Sequence, residues 1–262
     1  MATYLDRIVA AHRERARADT RPVERLIDEA RSATEPVRGF TAALRRAATR
    51  PAVVAEVKRR SPSKGDLASD LDPATLAEQY EAGGATCLSV LTDTPHFGGS
   101  PADLGAARNA TELPTLRKDF TVHERDVCDA RLMGADAVLL IVAALDPGEL
   151  RAFAALAHDL GLDALVEVHD EREADRALDI GAALLGVNQR DLTTFEVDTD
   201  RATRVAQALP PDVTTVAESG ITGPADARRL AEAGYTAVLV GEHLVTSGDP
   251  TNAVKELVAA CS

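Results

Sequence analysis

Eight short apolar runs rich in β-branched residues recur along this chain, near Val53, Cys87, Pro114, Ala137, Ala164, Leu184, Val213 and Ala237. Their spacing of about 20 to 35 residues is the rhythm of βα units feeding a parallel sheet. Between and after them, segments rich in Ala, Leu, Glu and Arg predict helices over residues 73–82, 101–110, 124–133, 147–160, 171–180, 199–208, 224–233 and 251–260. Several of these carry Pro in the first turn and Gly just past the end, as with Pro147 and Gly161 or Pro224 and Gly234, which is how helices start and stop. Eight strands, each followed by a helix, predict the α/β class and a (β/α)8 TIM barrel. Residues 1–50 precede the first strand and look helical over 4–18, 23–30 and 40–48. Too short and too charged to fold alone, they are expected to form an N-terminal helical extension of a single 1–262 domain, laid across the open end of the barrel.

Composition narrows the partners. With 262 residues and 45% hydrophobic content the chain can bury a full core. Its 29 Lys and Arg stand against 42 Asp and Glu, a formal charge of −13, which disfavours a nucleic-acid or anionic-membrane surface. Any anionic ligand must therefore meet local positive charge. The segment 1–18 is charged and amphipathic, unlike a signal peptide, and nowhere do 18 uncharged apolar residues run together, so a soluble cytoplasmic protein is the expectation. Cys87, Cys128 and Cys261 are few and far apart, predicting idle thiols rather than a disulfide framework or zinc site. The six histidines show no ligand spacing such as H-E-x-x-H; no metal is expected, and each histidine reads as a surface or helix residue.

Chemistry is written at the ends of the runs. Glu56 and Lys58 lie two apart where Val53-Val54-Ala55 stops, so both side chains project to the same side of the sheet rim. Buried charge is costly unless paired, and packing alone gives no reason for a pair there. The device recurs as Lys118, as Glu167 after Leu165-Val166, as Asn188 and Arg190 after Leu184-Leu185-Gly186-Val187, and as Glu218-Ser219 after Val213-Thr214-Thr215-Val216. A single such residue would read as a solvated or salt-bridged strand end. Together they converge on the C-terminal face of the predicted barrel, where such folds place their active sites. The turns at Ser219-Gly220 and Val240-Gly241-Glu242 follow strands seven and eight, where barrels hold phosphate on backbone N–H groups.

These blocks resemble the indole-3-glycerol-phosphate synthase family. The resemblance runs from about residue 50 to 250, through Ala55-Glu56-Val57-Lys58 with Ser61-Pro62-Ser63-Lys64-Gly65, Ser89-Val90-Leu91-Thr92-Asp93 with Phe97-Gly98-Gly99-Ser100, and Leu116-Arg117-Lys118-Asp119-Phe120. It continues through Leu165-Val166-Glu167-Val168, Gly186-Val187-Asn188-Gln189-Arg190-Asp191-Leu192 with Thr194-Phe195-Glu196, Glu218-Ser219-Gly220-Ile221, and Val238-Leu239-Val240-Gly241-Glu242. It implies ring closure of 1-(2-carboxyphenylamino)-1-deoxyribulose 5-phosphate to indole-3-glycerol phosphate, with loss of carbon dioxide and water and without a cofactor. The substrate carbonyl must be protonated as the aromatic ring attacks it, which suits Lys118 as general acid. Glu167 and Glu56 are then candidates for the later proton shuttle. Lys58 would meet a substrate anion, Asn188 and Arg190 would orient the substrate and the carboxylates, and Glu218 with Ser219 would hold hydroxyl or carboxylate groups. Phosphate would rest on Ser61 and the backbone of Gly220, Gly241 and Glu242, with Phe97 and Phe120 as a wall for the aromatic ring. The implied partner is a small sugar-phosphate substrate, met by a monomer or by a chain working beside other enzymes of the pathway.

Two other classes compete on the residues alone. One is a different phosphate-binding barrel enzyme, a sugar-phosphate isomerase or a Schiff-base aldolase using Lys118 or Lys58. Neighbouring Glu56 and Glu167 oppose the aldolase, because a Schiff-base lysine must lose its proton; Cys87 sits too early in its strand to serve an isomerase. The other is a silent phosphate-binding module, against which intact Glu56, Lys118 and Glu167 speak.

Overall fold

A computed structural model describes residues 3–191 and 196–260. Leu192, Thr194 and Phe195 of the resembling blocks, and Cys261, lie outside the described residues.

The eight runs are strands of one closed, all-parallel barrel: β1 Ala52–Val57, β2 Cys87–Leu91, β3 Thr115–Lys118, β4 Ala137–Ile141, β5 Asp163–Val168, β6 Leu184–Asn188, β7 Thr214–Glu218 and β8 Ala237–Val240. Each strand pairs with its sequence neighbours, and β8 closes on β1 through Ala52 to Ala55 opposite Ala237 to Val240. Alternation sorts the side chains. Val53, Ala55, Leu88, Val90, Val138, Leu140, Val166, Leu185, Val187 and Val238 point outward into the layer beneath the helices. Ala52, Val54, Cys87, Leu116, Ala137, Leu139, Leu165, Leu184, Val216 and Leu239 point inward as a second apolar cluster, as a period of two requires. On β1, β3, β5 and β7 the next inward position after this apolar stack is Glu56, Lys118, Glu167 or Glu218, and on β6 Asn188 follows one inward step later, past Gly186.

The outer helices are α4 Pro73–Gly83, α5 Pro101–Ala110, α6 Glu124–Leu132, α7 Pro147–Asp159, α8 Glu171–Asp179, α9 Arg201–Ala206, α10 Pro224–Glu232 and α11 Pro250–Ala259, after α1 Tyr4–Ala18, α2 Val23–Arg31 and α3 Phe40–Arg46. Five of them place Pro in the first turn. Asp72, Asp146, Asp170 and Asp249 accept hydrogen bonds from otherwise unpaired N–H groups there, a cap worth about 1 kcal/mol. Helix α9 is shorter than its composition predicts. Its end tightens into three-residue bonds from Gln207, Ala208 and Leu209 back to Arg204, Val205 and Ala206, because the chain is about to enter Pro210-Pro211 and the residue before a proline avoids helical geometry. The Phe97 loop also differs: Thr94–Phe97 forms one helical turn capped by Asp93 before Gly98.

The N-terminal segment does not lie across one end. Tyr4, Leu5 and Ile8 of α1 line the mouth at the C-terminal ends of the strands. Helix α3 closes the opposite end, where Phe40 and Leu44 are fully buried against the inward apolar cluster. An amphipathic pattern states that a face is buried but not which end of a barrel buries it, so the expectation of a single location is corrected.

Candidate active site

All of the residues nominated from the sequence line one cavity of about 740 Å³ at the C-terminal ends of the strands, namely Glu56, Lys58, Ser61, Phe97, Lys118, Phe120, Glu167, Asn188, Arg190, Glu218, Ser219, Gly220, Gly241 and Glu242. That volume suits a drug-sized ligand.

Its centre is Lys118. The last residue of β3 extends inward, and its Nζ donates to Glu167 Oε2 at 2.7 Å and Glu218 Oε2 at 2.8 Å. Burial pushes the Lys118 ammonium down, but Glu167, Glu218 and Glu56 outweigh it and hold its pKa above the ordinary lysine value. Such a lysine stays charged, which suits proton donation and opposes Schiff-base chemistry. The two glutamates share this one cation and divide accordingly. Burial favours neutral Glu167, yet Lys118 and His169 hold its carboxyl down at about 2. Its Oε1 also accepts from Asn188 Nδ2 at 3.2 Å. Burial pushes Glu218 up to about 7, against the pull of Lys118 and with repulsion from Glu167 and Glu56 added. Its Oε1 is buried without a hydrogen-bond partner among the described residues, so of the two carboxyls that share the Lys118 cation, Glu218 is the one that burial drives toward the protonated form. Gly186 makes room for that carboxyl, since a Cβ there would collide with Glu218 Oε1.

A second pair sits beside the first. Lys58 Nζ meets Glu56 Oε1 at 2.7 Å, and Ser89 Oγ donates to Glu56 Oε2 at 3.4 Å. Gly241 closes over this pair, because any Cβ would strike Glu56 Oε1 and crowd Lys58 Nζ. Arg190 follows β6, with its backbone N donating to Asn188 Oδ1 at 3.0 Å. Ser219 takes a left-handed φ of 66° and Gly220 follows at 71°, an arrangement costly for a residue with a side chain. Gln189 Nε2 holds this turn by donating to Ser219 O at 2.7 Å. A two-residue ribbon pairs Arg60–Ser61 with Gly65–Asp66 and brings Lys64 Nζ to 3.7 Å from Glu242 Oε1. The rings of Phe97 and Phe120 lie 6.3 Å apart.

Sequence reading missed several neighbours. Tyr4 and Ile8 are four residues apart, the helical spacing that puts both on one face, and could have been read from that pattern. His169 lies two residues beyond Glu167 and within 3.6 Å of it. His12, buried on α1, contacts Asp93 Oδ1 at 3.1 Å, and His96 Nδ1 contacts Asp93 Oδ2 at 2.9 Å. The donor atoms of His12, Asp93 and His96 lie within 4.8 Å of one another, a grouping invisible in their spacing, although His12 and His96 each sit on a helical segment. The trio is paired internally, and Arg15 adds a guanidinium 2.7 Å from His12 Nε2.

Fold and charge network together define a class: a TIM-barrel enzyme whose mouth carries an ammonium among carboxylates. The family model for indole-3-glycerol phosphate synthase matches residues 5–257. An indole-3-glycerol phosphate synthase of Mycolicibacterium vanbaalenii is 51% identical over 261 residues, covering 99% of this chain and 95% of that protein. Indole-3-glycerol phosphate synthase 2 of Streptomyces coelicolor is 51% identical over 235 residues, covering 90% of each. Among solved structures, thiamine phosphate pyrophosphorylase from Pyrococcus furiosus superposes with a TM-score of 0.61 at 18% identity, covering 80% of this chain and 95% of that one, a likeness of fold alone. This chain belongs to the indole-3-glycerol phosphate synthase family, carboxy-lyases that close an indole ring with decarboxylation in tryptophan biosynthesis.

Proposed function

We propose that the cavity binds 1-(2-carboxyphenylamino)-1-deoxyribulose 5-phosphate and converts it to indole-3-glycerol phosphate with release of carbon dioxide and water, in the cytoplasm. The observation that carries this reading is Lys118 Nζ held within 2.8 Å of two buried carboxylates inside one cavity. As the ring carbon bearing the carboxylate attacks the ketone, negative charge grows on the carbonyl oxygen, and Lys118 protonates it. Loss of carbon dioxide restores the aromatic ring. Water then leaves from the new carbinol as its hydroxyl takes a proton from Lys118, recharged from solvent after the first step, while Glu167, ionised beside it, takes the proton released from the carbon next to the ring nitrogen, with Glu56 as its alternate in that shuttle. Positioned proton transfer of this kind contributes about 10² to 10⁴ in rate.

Lys58 balances the substrate's carboxylate, and Asn188 and Arg190 fix the carboxylate network against the substrate. Glu218 and Ser219 hold its hydroxyl groups. Phosphate rests on Ser61 and on the backbone of Gly220, Gly241 and Glu242; the Ser61 Oγ is buried without a partner among the described residues, leaving it available to a phosphate oxygen. Phe97 and Phe120 flank the aromatic ring. The partner is thus a small sugar phosphate. No helix among the described residues is long and apolar enough to cross a membrane. Mixing the purified protein with the carboxyphenylamino-deoxyribulose phosphate should give indole fluorescence that grows with time. Folded protein that yields no indole would turn the assignment toward a silent binding module.

A further inference from the structure

His169 is a partly buried titratable side chain that the mechanism above leaves unused. It follows β5 directly, two residues past Glu167, and its Nε2 stands 3.6 Å from Glu167 Oε1. That distance is too long for a hydrogen bond and short for two opposite charges. The Nε2 atom is buried and has no hydrogen-bond partner among the described residues. The other side of the ring is fixed. Glu173, in the first turn of α8, meets His169 Nδ1 with Oε2 at 3.0 Å, and the same oxygen accepts the backbone N–H of His169 at 2.8 Å. A carboxylate on Nδ1 orients the imidazole and favours its cationic form.

The remaining charges around it are few. On β5, Glu167 attracts the imidazolium; on α8, Glu173 does the same; on α9, Arg201 repels it. Arg201 is itself drawn aside, with its NH1 donating to Asn188 O at 3.2 Å and its NH2 at 3.8 Å from Asp191 Oδ2. The Val142–Ala144 turn packed against β5 and α8 contributes no titratable group. Glu167 is therefore gripped from two sides: Lys118 on Oε2, Asn188 and His169 on Oε1.

We propose that His169, oriented by Glu173, is a positioning residue for ring closure: its imidazolium holds Glu167 in the ionised state in which that carboxylate accepts the substrate's proton. The inference rests on the role given to Glu167 above and deepens it. It explains why Oε1 faces a ring nitrogen that it does not bond. When Lys118 gives up its proton in the first step, the strongest counter-charge on Glu167 disappears, and the imidazolium then keeps the carboxylate from taking that proton too early.

The test is the pH dependence of kcat and kcat/KM for the parent, His169→Asn and Glu173→Gln enzymes, followed by indole fluorescence. Losing a charge at this distance shifts a carboxyl by about one unit. The acid limb of kcat for His169→Asn should therefore move upward by about one pH unit from the parent's, a loss of up to about tenfold at pH values on that limb that fades to nothing on the plateau above it, with KM nearly unchanged. Glu173→Gln, which keeps the ring but weakens its charge, should move the limb the same way by less. Superimposable profiles, or an equal loss at every pH, would overturn the proposal, since a merely structural role gives the latter. Should His169→Asn fail to fold, Glu173→Gln decides alone by the same criteria. A parent enzyme that forms no indole would instead refute the assigned reaction, so the two failures are distinguishable.

Discussion

The two ends of this barrel solve the burial problem in opposite ways. At the N-terminal end of the strands, α3 inserts Phe40 and Leu44 into the apolar inward layer. The charged groups around that plug reach backbone atoms of distant segments: Asp136 accepts from the N–H groups of Arg38 and Thr115 at 2.7 and 2.8 Å, and Arg131 donates to the carbonyls of Ala33 and Glu35 at 2.9 and 2.7 Å. At the C-terminal end the inward layer becomes Glu56, Lys118, Glu167, Asn188 and Glu218, and their partners are mostly each other. Side chains that bond fixed backbone tie the chain together. Side chains that bond one another, and leave Glu218 Oε1 unpaired, hold charge ready at the cost of desolvation. On this reading one end serves stability and the other the proposed chemistry, and substitutions should separate them.

The largest effect is expected from Lys118→Met. Removing the proposed acid should lower turnover by at least about 10² to 10⁴, while a phosphate-bearing substrate analogue still binds with little change. Steady-state kinetics beside calorimetric titration with the analogue checks this; undiminished turnover would remove the acid role and with it the contrast. Next comes Phe40→Ala at the opposite end. Truncating a fully buried phenylalanine costs about 3–5 kcal/mol of stability, and kcat/KM of the protein that stays folded should hold at its parent value. Denaturant unfolding with parallel assays measures both. A fall in kcat/KM without a loss of stability would mean that the plug reaches the chemistry.

What the sequence made legible follows from periodicity. The strands were readable because apolar runs alternate with helical patterns, and the site because Glu56, Lys118, Glu167 and Glu218 break an inward apolar parity at strand ends. The placement of α1 and α3 was not readable, since hydrophobic periodicity fixes a buried face but carries no information on the surface that buries it. Nor were contacts across long separations: His12 meets Asp93 across 81 residues, and only folding brings them together. His169 was within reach of the same parity rule that found Glu167, but a histidine beyond a strand end looks like loop until Glu173 and Glu167 are seen on either side of it.

A smaller effect is expected from Arg38→Ala. Its NH1 donates to the carbonyls of Arg108, Thr111 and Leu113 at 3.1, 2.8 and 3.0 Å, binding the segment before α3 to the turn before β3. Losing these bonds should cost about 1–3 kcal/mol, and the cost should be the same from pH 5 to 8, because a guanidinium stays charged throughout that range. Equilibrium unfolding across that range gives the answer; a cost that varied with pH would tie this end to a titration it is argued not to contain.

The last effect is a change of slope, and it bears on the top of the barrel alone. Glu218 has its pKa raised from 4.5 to about 7 in the folded protein, chiefly by burial. Between those values the native state keeps a proton that the unfolded chain has released, so stability falls as pH rises through this window. The contribution is complete below 4.5 and gone above about 7. Glu167 acts in the opposite sense and in another range: its pKa is lowered from 4.5 to about 2, so its contribution is present above 4.5 and lost as pH falls toward 2. Glu218→Gln removes the first titration and leaves the Lys118–Glu167 pair intact. Relative to the parent, its stability should therefore fall less steeply between pH 4.5 and 7, while the two curves stay parallel at lower pH. Urea unfolding at half-unit pH steps would resolve the difference. Parallel curves through the upper window would remove the claim that the mouth of the barrel raises a carboxyl toward neutrality.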